Sequence, residues 1–355
     1  MGGTDARDAV RGRVRAFIGS FTSAGGRGIL AADVDQETGA LTVTGATDAL
    51  ADPSYLALAG QVLYAVSETE KGAAAAFDVS GAVPRPLGVP ALVRGAGPTH
   101  LAVTAGHVLT ANYTSGSVTA LPITADGSLG AATDVVGHEG SGPVADRQGA
   151  PHAHQVLPAP DGRWTVAVDL GTDSVVIYAL DPATGALRPH GETALKPGTG
   201  PRHLAFHPSG SHAYVLNELE PTLTVCRWDA ATGTLEPLGE TPVIPAGTAG
   251  TAGPSYPSEV VVAPDGRFLW VAVRGDDTLA VLALDPSGGQ ATFRTAVPCG
   301  GRWPRDLALD PSGRRLYAAN ERSGDVTWFD LDPETGVPHR AGSVDAPAAS
   351  CVVFG

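Results

Sequence analysis

Residues 201–229 read PRHLAFHPSGSHAYVLNELEPTLTVCRWD, and residues 304–331 read PRDLALDPSGRRLYAANERSGDVTWFDL. Each opens on proline and runs through an apolar strand to a Pro-Ser-Gly turn. A second apolar strand returns, a polar turn follows, and a third strand closes the run. Alternation over such short stretches marks strands, not helices. The pattern recurs outward in both directions, as PSYLALAGQVLYAVSETEKGAAAAFDV at 53–79, PTHLAVTAGHVLTANYTSGSVTALPI at 98–123, PHAHQVLPAPDGRWTVAVDLGTDSVVIYAL at 151–180 and PSEVVVAPDGRFLWVAVRGDDTLAVLAL at 257–284. The starting prolines, Pro53, Pro98, Pro151, Pro201, Pro257, Pro304 and Pro347, lie 45, 53, 50, 56, 47 and 43 residues apart. A variable fourth strand follows, typically after a turn such as Asp181-Pro182-Ala183-Thr184-Gly185. This is the period of a four-stranded propeller blade.

Six units are complete. The seventh, PAASCVVF at 347–354, stops after one strand, and RAFIGSFTSAGGRGILAADVDQETGALTV, beginning at Arg15, supplies the other three. The sequence therefore predicts an all-β, seven-bladed β-propeller with four antiparallel strands per blade, its last blade closed by the N- and C-terminal segments. Such closure removes exposed sheet edges. Residues 1–13 read as a disordered or loosely held extension and residues 14–355 as one propeller domain. A β-sandwich array is the competing architecture, but sandwiches do not repeat this way.

Composition excludes other classes. The 355 residues include 46 Gly and 29 Pro, yet 43% are hydrophobic, which is ordinary for a globular protein and unlike a disordered chain. No Gly-every-third pattern suggests collagen, and no stretch approaches the roughly 18 apolar residues of a membrane helix. The first residues carry Asp5, Arg7, Asp8, Arg11 and Arg13 without an apolar stretch, so no secretory signal is expected. Cys226, Cys299 and Cys351 lie far apart and cannot all pair, which suits a reducing cytoplasm. A net charge of −14 with no basic cluster argues against nucleic acid. A monomer is expected, because the blades cover one another. The expected partner is a small molecule, with no membrane and no cofactor.

Repeats show which positions break the pattern. Carried around the ring, the position of Arg202 becomes Ser54, Thr99, His154, Arg202, Ser258, Arg305 and Ala348. The next residue becomes Tyr55, His100, Gln155, His203, Glu259, Asp306 and Ala349. The position of Glu218, at the end of the second strand, becomes Phe21, Glu68, Tyr113, Leu170, Glu218, Arg274 and Glu321, with Asp169, Asn217 and Asn320 adjoining. Strand interiors repeat as Leu, Val and Ala, whereas this rim differs in every blade. Mixed polar residues converging on a central channel are what a small-molecule site requires. The candidates are His154, Arg202, Glu218 and Arg274 for catalysis, with Glu68, His100, Tyr113, His152, Asp169, His203, Asn217, Glu259, Arg305 and Glu321 lining the site. The connections 138–150 and 243–256 lead into inner strands, so they should border the same mouth and could gate it. The opposite rim carries the uniform Pro-Asp-Gly and Pro-Ser-Gly turns, which need only reverse the chain.

The runs GSFTSAGGRGILAADVDQETGALT, GAGPTHLAV, ANYTSGSV, PHAHQV, GPRHLAFHPSG, AYVLNELEPTLTV, PDGRFLWVAVRGDDTLAV and PSGRRLYAANERSGDV resemble the lactonase family of 6-phosphogluconolactonase-type propellers, which also holds a carboxymuconate-cyclase branch. The resemblance covers nearly the whole chain from about Phe17. It implies functional roles for the second His of PHAH, the Arg of GPRH, the Glu of NE and the Arg of the blade-five RG, which are His154, Arg202, Glu218 and Arg274 here. Departures cluster in blades five and six. Val273 stands where Asn is usual, Asp276 and Asp306 where His is frequent, and Glu321 where Gln is common. They make one sector more acidic, which disfavours a dianionic phosphate.

A lactone ester needs an attacking water, a base for its proton and a cation for the developing oxyanion. His154 and Glu218 are the candidate acid-base groups, and Arg202 or Arg274 the oxyanion or carboxylate holder. Conjugate addition on an unsaturated carboxylate needs the same parts, so cyclisation stays open beside hydrolysis. So do plainer readings: His154 as a hydrogen-bonded blade residue opposite Asp169, Arg202 and Glu218 as a structural ion pair, His100 and His203 as channel walls, and the whole as a non-catalytic binding propeller. His152 and His154 sit two apart, as metal ligands on one strand face can, but no third ligand follows at a recognisable spacing. Asp52, Asp169 and Glu259 are the further candidates were a cation to bind. No G-x-S-x-G is present, and GSFTSAGGRG precedes no helix, so it is neither a P-loop nor a dinucleotide fingerprint.

Overall fold

The structure, a computed structural model, describes residues 14–244 and 253–355. The expected N-terminal extension, 1–13, and the middle of the 243–256 connection lie outside these residues.

Seven four-stranded antiparallel sheets form the ring. In blade four Pro201–Phe206 is the inner strand, followed outward by His212–Asn217, Thr222–Asp229 and Thr234–Pro242. Blades five and six repeat this order from Tyr256–Val262 and Pro304–Leu309. The seventh blade is split as the sequence predicts: Ala349–Phe354 is its inner strand and pairs with Arg15–Ser20, then come Ile29–Val34 and Leu41–Thr47. Phe17 faces Val353 and Ile18 faces Val352 across that seam.

Blade faces pack on one another through the alternate residues of each strand. Between blades three and four, Val166, Val168, Val175 and Ile177 meet Leu204, Val215, Cys226 and Trp228, all buried. Burying each such aliphatic side chain contributes roughly 1.5–3 kcal/mol, so the interfaces between blades carry most of the stability. All three cysteines are buried free thiols. Among the described residues no helix is long and apolar enough to cross a membrane.

One irregularity repeats. The register slips by one residue between Pro98 and His100, Ala153 and Gln155, Pro201 and His203, Pro257 and Glu259, and Pro304 and Asp306. A β-bulge leaves the extra residue unpaired and re-aims its side chain. The bulged residues are Thr99, His154, Arg202, Ser258 and Arg305. In blade seven Ala349 pairs with Ser20 and Cys351 with Gly19, so the bulged residue is Ser350. This corrects the expected ring: Ser350 and Cys351, not Ala348 and Ala349, stand at the positions of Arg202 and His203. The run from Pro347 to the bulge is three residues, as from Pro151 to His154, and two longer than from Pro201 to Arg202, and the last segment stops after one strand, with no following turn to align on.

Candidate functional site

The bulges deliver their residues to one end of the central channel. Arg202, Arg305, Thr99 and Ser350, together with Ser54, Tyr55, Glu68 and His203, line a narrow cavity of about 10 Å³. Second-strand ends supply the layer above. Glu218 is 4% exposed and lies between cations: Arg274 Nη2 at 2.8 Å, Arg202 Nε at 3.2 Å and Arg147 Nη2 at 2.6 Å. Arg202 and Arg274, 3% and 7% exposed, are pinned further by backbone carbonyls, Arg202 by that of Ser258 and Arg274 by that of Tyr256. These fixed guanidiniums hold the Glu218 carboxyl down to about 2 against its burial. Around the same rim Arg305 pairs with Glu321 at 3.1 Å, and burial raises the Glu68 carboxyl above its ordinary value despite Arg305.

Below this layer lies an aromatic and imidazole floor. His203 packs edge-on against His154 and His100, with ring centroids 5.2 and 5.5 Å away. His100 lies against Tyr55 at 4.1 Å. Burial, Arg202 and the neighbouring imidazoles push His100, His154 and His203 well below the ordinary histidine value, so all three are neutral at pH 7. Glu259 Oε2 meets His203 Nδ1 at 2.7 Å. Burial raises Glu259 to about 7 and Asp306 well above the carboxylate range, Asp306 also by the neighbouring Glu259. Because the imidazole is neutral, the His203–Glu259 contact is a hydrogen bond and not an ion pair.

The four residues expected for catalysis come together at this end, as do Glu68, His100, Tyr113, His152, His203, Glu259, Arg305 and Glu321. Tyr113 receives a long contact from Arg147, 3.5 Å, and stacks on His152 at 4.4 Å. His152 Nδ1 donates to the Tyr113 carbonyl, and the bulge at His154 breaks the alternation that would have put the two histidines on one face. Among the described residues no group of three or more His, Cys, Asp or Glu is placed to hold a metal ion.

Two expected lining residues do not reach the channel. Asn217, fully buried, donates its amide to Thr222 and Thr224 of the next strand, as Asn112 does to Ser117 and Thr119. Asp169 occupies the same place in blade three. It accepts His138 Nδ1 at 2.6 Å and the backbone N–H groups of His152, Gly171 and Thr172. One residue along a strand reverses the side-chain direction, so these positions face the sheet while Glu218 faces the channel. Asp169 thus partners His138 and not His154.

Sequence reasoning missed Arg147. It sits on the one-turn helix Ala145–Gln148 within the connection expected to border the mouth. It has no counterpart in other blades, so carrying positions around the ring could not reach it. Asp306 and Tyr55 stood in the aligned columns, and their burial next to Glu259 and His100 would have marked them.

The comparisons agree with this architecture. The family described as "Lactonase, 7-bladed beta-propeller" matches residues 15–354. The 6-phosphogluconolactonase of Bacillus subtilis is 34% identical over 347 residues, 95% of this chain and 97% of that protein. Among solved structures, the periplasmic gluconolactonase of Pseudomonas aeruginosa superposes with a TM-score of 0.89 at 29% identity, covering 96% of this chain and 99% of that one. A Lactobacillus plantarum protein superposes with the same score, 0.89, at 32% identity over 96% and 99%. With the profile spanning the ring from first strand to last, the chain belongs to the lactonase family of seven-bladed β-propellers.

Proposed function

We propose that this protein hydrolyses a sugar-acid lactone at the channel mouth. The observation that carries the reading is the convergence of Arg202, Arg274 and Arg147 on Glu218 beside His154, at the one end where the bulged residues meet. The name of the Bacillus relative supports the same substrate class. A lactone carbonyl turned toward Arg202 and Arg274 finds fixed charged donors for its developing oxyanion. Three guanidiniums keep Glu218 a carboxylate at every working pH, which makes it a poor proton acceptor and a good anchor for the cations. His154 is neutral, and its buried Nδ1 has no partner among the described residues. It takes the proton of the attacking water. The protein acts as a cytoplasmic monomer without a cofactor, a setting supported by its buried free thiols.

The buried Glu259–Asp306 floor offers an anion no counter-charge, so a phosphate on the substrate points outward, toward the exposed Arg302 and Arg322. The same acidic sector favours, as a second reading, cyclisation of an uncharged unsaturated substrate by conjugate addition. Assays with 6-phosphogluconolactone beside glucono-δ-lactone separate these. Hydrolysis should fall about 10²–10⁴-fold in His154→Ala and by about 10²-fold or more in Arg202→Ala. Full turnover in both variants would make the cluster structural. Turnover of neither lactone would sink the hydrolase reading.

A further inference from the structure

The hydrolytic scheme leaves one set of buried titratable groups unused. His203 is 2% exposed, with Nδ1 fixed on Glu259 and Nε2 without a partner among the described residues. Its ring lines the same cavity as Arg202. Glu259 in turn hydrogen-bonds Asp306 through the two side chains. The other oxygens of this pair accept backbone N–H groups, Glu259 Oε1 from Val260 at 3.0 Å and Asp306 Oδ2 from Val352 at 2.8 Å. Two buried carboxyl groups that hydrogen-bond each other need a proton between them, because neither carboxylate alone has a hydrogen to donate. The groups facing this set are His100, His154 and Tyr55 at the floor, with Arg202, Arg274, Arg305 and Glu218 above. An imidazole held by a carboxyl at one nitrogen and open to a cavity at the other is built to pass a proton through.

Resting on the lactone-hydrolase reading, we propose that His203 is the proton donor to the leaving ring oxygen, reloaded from the Glu259–Asp306 pair. As water adds to the carbonyl carbon, His154 takes one of its protons. The ring C–O bond then breaks, its electron pair goes to the ring oxygen, and that oxygen takes the Nε2 proton of His203. Nδ1 of His203 takes the shared proton from Glu259, so the imidazole changes tautomer and stays neutral while the carboxyl pair becomes dianionic. The proton on His154 passes to Nε2 of His203, whose Nδ1 proton returns to Glu259, and the new carboxylic acid releases its own to water. No other reactant is needed.

The leaving group tests this. An aliphatic alkoxide needs a proton to depart, whereas a phenoxide leaves unaided. His203→Gln should lower kcat on glucono-δ-lactone about 10²-fold or more but on the aryl lactone dihydrocoumarin by less than about fivefold. Asp306→Asn should show the same selectivity at pH 8. It should recover on the aliphatic lactone toward pH 5, where Glu259 regains a proton. It also serves should His203→Gln fail to fold. Equal losses on both lactones, with wild-type turnover of both, overturn the donor role alone. Wild-type turnover of neither overturns the hydrolase reading and this step with it.

Discussion

The two rims of the ring are the opposite ends of the same strands, yet they satisfy their polar groups in different ways. On the far rim the turn side chains bond within their own turn, as Asp35, Asp181, Asp229 and Asp332 each accept the backbone N–H two residues on, and the neighbouring blade meets only turn carbonyls: Trp164 donates to Ala230, Tyr214 to Gly288, Trp270 to Gly336 and Tyr317 to Gly39. On the near rim the partners lie in the neighbouring blade. Arg202 reaches Ser258, His203 reaches Glu259, Thr99 reaches the carbonyl of His154, and Val352 donates to Asp306. A far-rim turn side chain can therefore change without a matching change next door, because the neighbour uses only the carbonyl, whereas near-rim side chains such as Glu218 and Arg274 pair with each other across blades. Among the described residues the near end also keeps buried ring nitrogens without a hydrogen-bond partner, at His100 Nδ1, His154 Nδ1 and His203 Nε2. Such atoms are costly to bury without a partner.

The largest effect should come from the residue that ties most blades together. Glu218→Ala leaves Arg202 and Arg274 buried without their counter-charge, and breaking a buried pair on one side costs about 3–5 kcal/mol. Chemical denaturation should show that loss, with lactone turnover down about 10³-fold or more from misplaced guanidiniums. Near-normal stability and activity would show that the rim is not cross-linked as described.

A second test uses pH. Glu259 is raised to about 7 and Asp306 well above its ordinary value, so both favour the protonated form in the folded state. A raised carboxyl contributes stability that is full below its unfolded value, near 4, and is lost as pH rises through its folded value. The wild type should thus weaken between about pH 4 and 7 on their account. Asp306→Asn removes the repulsion, so its stability relative to wild type should improve by about 2 kcal/mol from pH 5 to pH 8. A parallel pair of stability curves would mean that the two carboxyls do not share a proton.

Most of the ring was legible because blades repeat: the proline spacing located each inner strand, and the split seventh blade followed from an unfinished last repeat. Near-rim positions were legible for the same reason, since His154, Arg202, Glu218 and Arg274 are the places where repeats disagree. What escaped was whatever breaks the count. A bulge inserts a residue without a compositional mark, so Ser350 stood two places from where alignment put it. Asn217 and Asp169 lie one residue from Glu218 and its blade-three counterpart Leu170, and polarity alone does not say which of two adjacent residues faces the channel. Arg147 and His138 come from a connection that no other blade shares, so only the folded chain could bring them to Glu218 and Asp169.

The smallest expected effects are on the far rim, and they are sharpest where the backbone alone is at issue. Gly60 turns the inner hairpin of blade one with φ +60°, and an added Cβ would meet nothing within 4 Å. Gly60→Ala therefore carries only the left-handed backbone penalty, about 1 kcal/mol. Gly336, at φ +71°, differs because a Cβ there lies 2.7 Å from the Phe268 ring. Phe268 lines a far-rim cavity of about 780 Å³, larger than the one at the channel mouth. Gly336→Ala should lose about 1–2 kcal/mol and disturb that cavity while leaving kcat within about twofold of wild type. The pair separates volume from chemistry: the larger hollow is lined by turn and strand residues such as Asp265, Asp285, Arg294 and Thr335, the smaller by Arg202, Arg305, Glu68 and His203. If Gly336→Ala lost turnover beyond its stability cost while Gly60→Ala did not, the far rim would hold a working site and the contrast between the rims would fail.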